Sequence, residues 1–150
     1  MEKIYLDVCA LKRTFDDQRQ LRVRREAHAV AELLELCEKD RLNLVCSPAH
    51  IVENDANPRE DRRLAVAVWL RAATWVKHDE ETEARSRQLK ALGFSVLDAL
   101  HLAYGERSGA RWLVTCDDRI LKLGARHEEA LHIAIIDPCA AARQIERDEG

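Results

Sequence analysis

Short apolar runs alternate along this chain with longer, charge-rich stretches. The first run, Lys3 to Val8, holds Ile4, Tyr5 and Leu6 and reads as a strand. From Gln18 to Lys39, Ala27, Val30, Leu33, Leu34 and Cys37 recur at helical spacing, so a long helix is expected there. Asn43 to Cys46 is a second short apolar run. Ser47-Pro48 then supplies an N-cap and a proline at the first helical position, opening a short helix that carries Glu53. Asn57-Pro58-Arg59-Glu60 repeats the start signal, and a helix to about Ala73 would place Leu64, Val68 and Ala72 on one face. Trp75-Val76-Lys77 is a third candidate strand. Asp79 caps a helix from Glu80 to Leu92 that Gly93 ends. Ser95 begins another through Tyr104, stopped near Gly109. Arg111 to Thr115, a short helix from Asp118 to Leu123, and His132 to Ile136 follow, and Asp137-Pro138 opens a terminal helix.

Strands that are short, uniformly apolar and separated by helices belong in a buried parallel sheet. The expected class is therefore α/β, in one domain over residues 1–150, with no repeat, low-complexity tract or long linker. In open sheets of this kind, ligands bind beyond the carboxyl ends of the strands.

Composition narrows the function. The chain is 34% charged, but the signs nearly cancel to a net −3, so no global basic field draws a polyanion. Any nucleic-acid contact must come from a local patch. The five cysteines (Cys9, Cys37, Cys46, Cys116 and Cys139) form no CxxC pair and read as reduced thiols of an intracellular protein. With no signal peptide and no apolar run of spanning length, a soluble, cytoplasmic protein without membrane contact is expected.

Four acids break the apolar pattern. Asp7 closes Ile4-Tyr5-Leu6, Glu53 follows Ile51-Val52, Asp98 interrupts Val96-Leu97 and Ala99-Leu100, and Asp117 follows Trp112 to Cys116. Carboxylates are rarely buried unless they are paired or bind a metal. No helix is expected directly after Asp7, so capping does not explain it. Asp118 is expected to cap the helix after the fourth strand, leaving Asp117 for a pocket. Ser95 and Asp98 fit a capping box, which can coexist with ligation. The six histidines lack the spacing of a zinc site.

The motifs Ile4-Tyr5-Leu6-Asp7, Val52-Glu53, Leu97-Asp98-Ala99-Leu100-His101-Leu102-Ala103 and Val114-Thr115-Cys116-Asp117-Asp118 together resemble the PIN domain, including VapC-like ribonuclease toxins. The resemblance covers nearly the whole chain. It implies a three-layer fold with a parallel sheet of about five strands and helices on both faces. It assigns Asp7, Glu53, Asp98 and Asp117 to the family's acidic quartet, with Thr115 two residues before the last acid and Asp118 supporting. Val8 and Cys9 depart from the hydroxyl residues common after the first acid.

Four neighbouring carboxylates repel one another, and a hard divalent cation, Mg²⁺ or Mn²⁺, resolves this. Asp7, Asp98 and Asp117 are expected as metal ligands, with Glu53 ligating or orienting an attacking water. The expected chemistry is in-line hydrolysis of a phosphodiester, which the resemblance implies is that of RNA, with Arg13 and Arg119 as candidate RNA contacts. The resemblance further implies a homodimer and, for a toxin, a small antitoxin protein as partner. The alternative is a catalytically weak or inactive PIN-like binding or regulatory module.

Overall fold

A computed structural model describes residues 1–149. Its five strands are β1 (Lys3–Leu6), β2 (Asn43–Cys46), β3 (Thr74–Trp75), β4 (Trp112–Val114) and β5 (Ala134–Ile136). Eight helices accompany them: α1 (Val8–Leu11), α2 (Leu21–Glu38), α3 (Pro48–Asp55), α4 (Glu60–Arg71), α5 (Glu80–Ala91), α6 (Val96–Ser108), α7 (Asp118–Arg126) and α8 (Pro138–Glu149). Every predicted strand forms: β2 has its predicted bounds, and the other four are shorter than or shifted from theirs.

The sheet is wholly parallel, in the order β3-β2-β1-β4-β5. Alternation sorts the strand residues between two cores. Ile4, Leu6, Leu44, Cys46, Trp112 and Val114 face one side, where α2, α4 and α8 pack. Tyr5, Val45 and Leu113 face the other, against residues of α5, α6 and α7. Because both faces are covered, the strands read as continuous apolar runs rather than alternating ones. This is the expected three-layer α/β fold.

Within α4 the packing phase differs from the pattern read in sequence. Leu64 and Val68 are exposed, and Val66 and Leu70 are buried against the sheet. The helix carries two apolar stripes at i, i+4 spacing, and periodicity alone does not choose between them.

The topology fixes where a site can form. From β1 the chain steps outward to β2 and β3, then returns to the other side of β1 as β4 and continues to β5. The switch point therefore lies between β1 and β4, and the crevice opens beyond their carboxyl ends. Leu6 pairs with Val114 there, and the Asp7 N–H donates to the Val114 carbonyl at 3.1 Å. Among the described residues, no helix is long and apolar enough to cross a membrane.

Candidate active site

Asp7 follows β1 directly and is 5% exposed. Contrary to the sequence-based expectation, a helix does begin at once: Asp7 is the N-cap of α1, and its Oδ1 accepts from the Ala10 N–H at 2.8 Å. A four-residue helix leaves almost no periodic signal, which is why sequence missed it. Burial pushes the Asp7 carboxyl up to about 6, against hydrogen bonds from Thr115 and Ala10 and the charge of nearby His101; Glu53 pushes it further up.

Asp117 lies past the end of β4 and is exposed. It, not Asp118, caps α7, its Oδ1 accepting from the N–H groups of Arg119 at 2.8 Å and Ile120 at 3.3 Å. Asp118 instead forms a two-pronged ion pair with Arg22 of α2, at 2.8 and 2.7 Å. The same guanidinium donates to the Cys116 carbonyl at 3.0 Å, so α2 pins the turn that presents Asp117. This pair is solvent-exposed, so its contribution is more to position than to stability. Adjacent acids at a helix start compete for the cap, and the tertiary contact with Arg22, 96 positions away, decides between them.

Thr115 is fully buried between the two strand-end acids. Its hydroxyl accepts from the Asp117 N–H at 3.1 Å. The same side chain lowers the Asp7 carboxyl, so it links the ends of β1 and β4.

Asp98 stands in the first turn of α6, where the Ser95 hydroxyl accepts from its N–H at 3.1 Å. Half-buried, its carboxyl is raised mainly by desolvation, with Asp117 and Glu53 adding to the rise and Ser95 and His101 opposing it. Glu53 stands on α3, and its Oε1 meets His101 Nε2 at 2.8 Å. The four acids therefore share one electrostatic environment, with His101 in their midst.

That histidine belongs to a buried chain that local sequence patterns hardly signal. His101 Nδ1 meets the Tyr5 hydroxyl at 2.6 Å, and the same hydroxyl meets Ser47 Oγ at 2.7 Å. His50 occupies the acid's place in a capping box on α3, its Nδ1 accepting from the Ser47 N–H at 3.0 Å. Its Nε2 donates to the Leu6 carbonyl at 2.7 Å, immediately before Asp7. Burial holds the His50 imidazole down to about 3, so it stays neutral. The one available signal was a polar ring in each of two apolar segments, Tyr5 in β1 and His101 in α6.

The two expected basic contacts differ in freedom. Arg13 turns its guanidinium onto Glu26 at 2.7 Å and Asp16 at 3.1 Å. Arg119 is exposed, with a single 3.4 Å bond to the Gly93 carbonyl. Beside the acids, a trough of about 400 Å³ is lined by Arg22, Arg25, Glu26, Asp118, Asp137 and Cys139. All five cysteines are free.

A family model for the PIN domain matches residues 9–126. The chain belongs to the PIN-domain family. The match contains Glu53, Asp98, Thr115 and Asp117, and begins two residues after Asp7. PIN domains have a nuclease-type fold and are generally nucleases that use divalent metal ions. The chain matches no curated protein.

The donor set of this PIN domain fits such an ion in its chemistry. All four candidates are carboxylates, the oxygen donors that a hard divalent cation prefers. Burial raises the carboxyls of Asp7 and Asp98, and the neighbouring Glu53 adds to the rise of both. Among the described residues, however, no three His, Cys, Asp or Glu side chains are grouped so as to hold an ion as they stand.

Proposed function

We propose that this PIN domain is a metal-dependent endoribonuclease that hydrolyses RNA phosphodiester bonds at the carboxyl edge between β1 and β4. The observation that carries the reading is the placement of Asp7 and Asp117 on either side of the topological switch point, joined by Thr115 and electrostatically coupled to Glu53 and Asp98.

Asp7, Asp98 and Asp117 would hold the ion, Mg²⁺ or Mn²⁺. When bound, it lowers the pKa of an attacking water and offsets charge building on the phosphate. The protein's own groups do the rest. Helix capping engages only Oδ1 of Asp7 and Oδ1 of Asp117, which leaves each Oδ2 for the site. His101 holds one oxygen of Glu53, and the other is free to orient the water. Arg119, exposed two residues after Asp117, is placed to meet a substrate phosphate. Arg13 serves the RNA indirectly, since its guanidinium is already occupied by Glu26 and Asp16.

The fuller form of this reading is a cytoplasmic toxin, acting as a homodimer and restrained by a small antitoxin protein. Its support is a set of exposed apolar side chains beside the acids, Ile51 and Val52 next to Glu53 and Val96 near Asp98, which a covering partner would bury. A second reading, a weak or inactive PIN-like binding module, is favoured by the lack of a ready three-ligand cluster among the described residues.

The deciding experiment incubates mixed-sequence single-stranded RNA, and DNA of the same sequence, with Mg²⁺, Mn²⁺ or chelator. Cleavage of RNA that needs the ion and disappears in Asp7→Asn and Asp98→Asn supports the ribonuclease. Cleavage of DNA alone redirects the substrate. If, with the ion present, the wild type cleaves RNA no faster than Asp7→Asn and Asp98→Asn do, the binding module is favoured.

A further inference from the structure

We infer that Tyr5 and His101 are positioning residues for Glu53, forming a buried hydrogen-bond chain that fixes how its carboxylate faces the site. The inference rests on the ribonuclease reading for its kinetic consequence and on geometry for everything else.

The carboxylate end of the chain fixes which nitrogen holds Glu53. A carboxylate only accepts, so the bond between Glu53 Oε1 and His101 Nε2 places an imidazole proton on Nε2. A neutral ring leaves Nδ1 to accept from the Tyr5 hydroxyl at 2.6 Å, a charged ring donates from Nδ1 to the Tyr5 oxygen, and Nε2 donates to Glu53 in both. The Tyr5 oxygen also pairs with the Ser47 hydroxyl at 2.7 Å. The next ring meets the chain at Ser47, whose hydroxyl lies 3.3 Å from His50 Nδ1. His50 Nε2 donates to the Leu6 carbonyl and its Nδ1 accepts from the Ser47 N–H.

Three features make the chain more than a satisfied core. Tyr5, Ser47 and His101 are at most 3% exposed, so each broken bond leaves a buried polar group unpaired. The Tyr5 ring stacks on His50 at 4.5 Å and lies edge-on to His101 at 5.6 Å, which restrains rotation of the imidazole. And the chain ends on one carboxylate oxygen, at the surface of the pocket, where the side chain of Glu53 is 28% exposed. A half-exposed glutamate on a short helix has several rotamers available; a fixed donor selects one. Through His50 the same cluster also grips the carbonyl that precedes Asp7, so the spacing between Glu53 and the end of β1 is set by one rigid group.

The test uses substitutions that separate the two ends of the imidazole. The amide of His101→Gln reaches where Nε2 stood and can still donate to Glu53. That of His101→Asn reaches only where Nδ1 stood and leaves Glu53 unheld. Tyr5→Phe removes the anchor and keeps the ring. Folding is checked by circular dichroism and melting temperature, and kcat and KM are measured on RNA. For folded protein, His101→Asn and Tyr5→Phe should lower kcat about tenfold or more with KM within about twofold, because the held geometry matters in the transition state. His101→Gln should recover at least half of the logarithmic loss. Equal kcat for the Asn and Gln variants, or a wild-type kcat in Tyr5→Phe, overturns the inference.

Nitrogen-15 NMR of the imidazoles supplies a readout independent of turnover. His101 should carry its proton on Nε2, and that proton should exchange with solvent faster in Glu53→Gln. A proton on Nδ1 alone, or exchange unchanged by Glu53→Gln, overturns the inference. Should the wild-type protein cleave no RNA, the ribonuclease reading fails on its own, and NMR alone decides the positioning.

Discussion

Asp7 combines a structural and a chemical role in one carboxylate, and their energies oppose each other. Capping α1 and bonding Thr115 favour the charged form, while burial disfavours it by more, so the carboxyl rises from 3.8 to about 6. A raised folded-state value means the native protein holds this proton more tightly than the unfolded chain. Stability from this group is thus fully present below about pH 4 and is lost as pH rises through about 6, an interval equivalent to about 3 kcal/mol. Asparagine keeps a cap at this position without the titration. In chelator, urea unfolding of Asp7→Asn should therefore fall less steeply between about pH 4 and 7 than that of the wild type, by up to about 3 kcal/mol. Parallel curves would show that Asp7 is not held protonated. The acids themselves were legible in sequence because a charge inside an apolar run is costly and needs a reason. Their hydrogen-bond partners were not. Tyr5, Ser47, His101 and Glu53 meet across separations of 42, 96 and 48 residues, and no local pattern carries such pairings.

At the level of elements, helix starts present the site, since Asp7 and Asp117 are the N-caps of α1 and α7 and Asp98 stands in the first turn of α6. Asp117→Ala should remove both the α7 cap and the proposed ligand, costing about 1 kcal/mol of stability along with activity. Asp117→Asn should keep stability within a few tenths of a kcal/mol and still lose activity. If Asn restores activity as well as stability, Asp117 acts as a cap alone. Helix α7 is also packed tightly. A Cβ on Gly124 would lie 2.8 Å from Cδ1 and 3.0 Å from Cβ of Ile135 on β5. Gly124→Ala should destabilise by about 1–3 kcal/mol in chemical denaturation, with the midpoint falling at constant slope. Strand and helix order was readable because period and caps are local. The stripe that α4 buries, and the choice between Asp117 and Asp118 as cap, were not, because each was settled by a partner distant in the chain: the sheet in one case, Arg22 in the other.

For the molecule as a whole, one topological fact organises the chemistry. A parallel sheet that reverses direction of growth at β1 and β4 brings two strand ends side by side, and an aspartate follows each, Asp7 directly and Asp117 after Thr115 and Cys116. In the proposed reading, the acids of α3 and α6 complete a carboxylate-rich pocket in a protein whose overall charge is only −3. Such a pocket gains most from a cation near neutral pH, where its own charges compete. The claim that these carboxylates are a divalent-ion site is tested most directly by titrating the ligand-free protein with Mn²⁺ in a calorimeter at about pH 6, in two buffers of different ionisation enthalpy. With Asp7 partly protonated there, the account predicts saturable binding that releases protons, and a smaller release in Asp7→Asn. Absence of saturable binding by the folded wild-type protein, or binding that Asp7→Asn and Asp98→Asn leave unchanged, would contradict it.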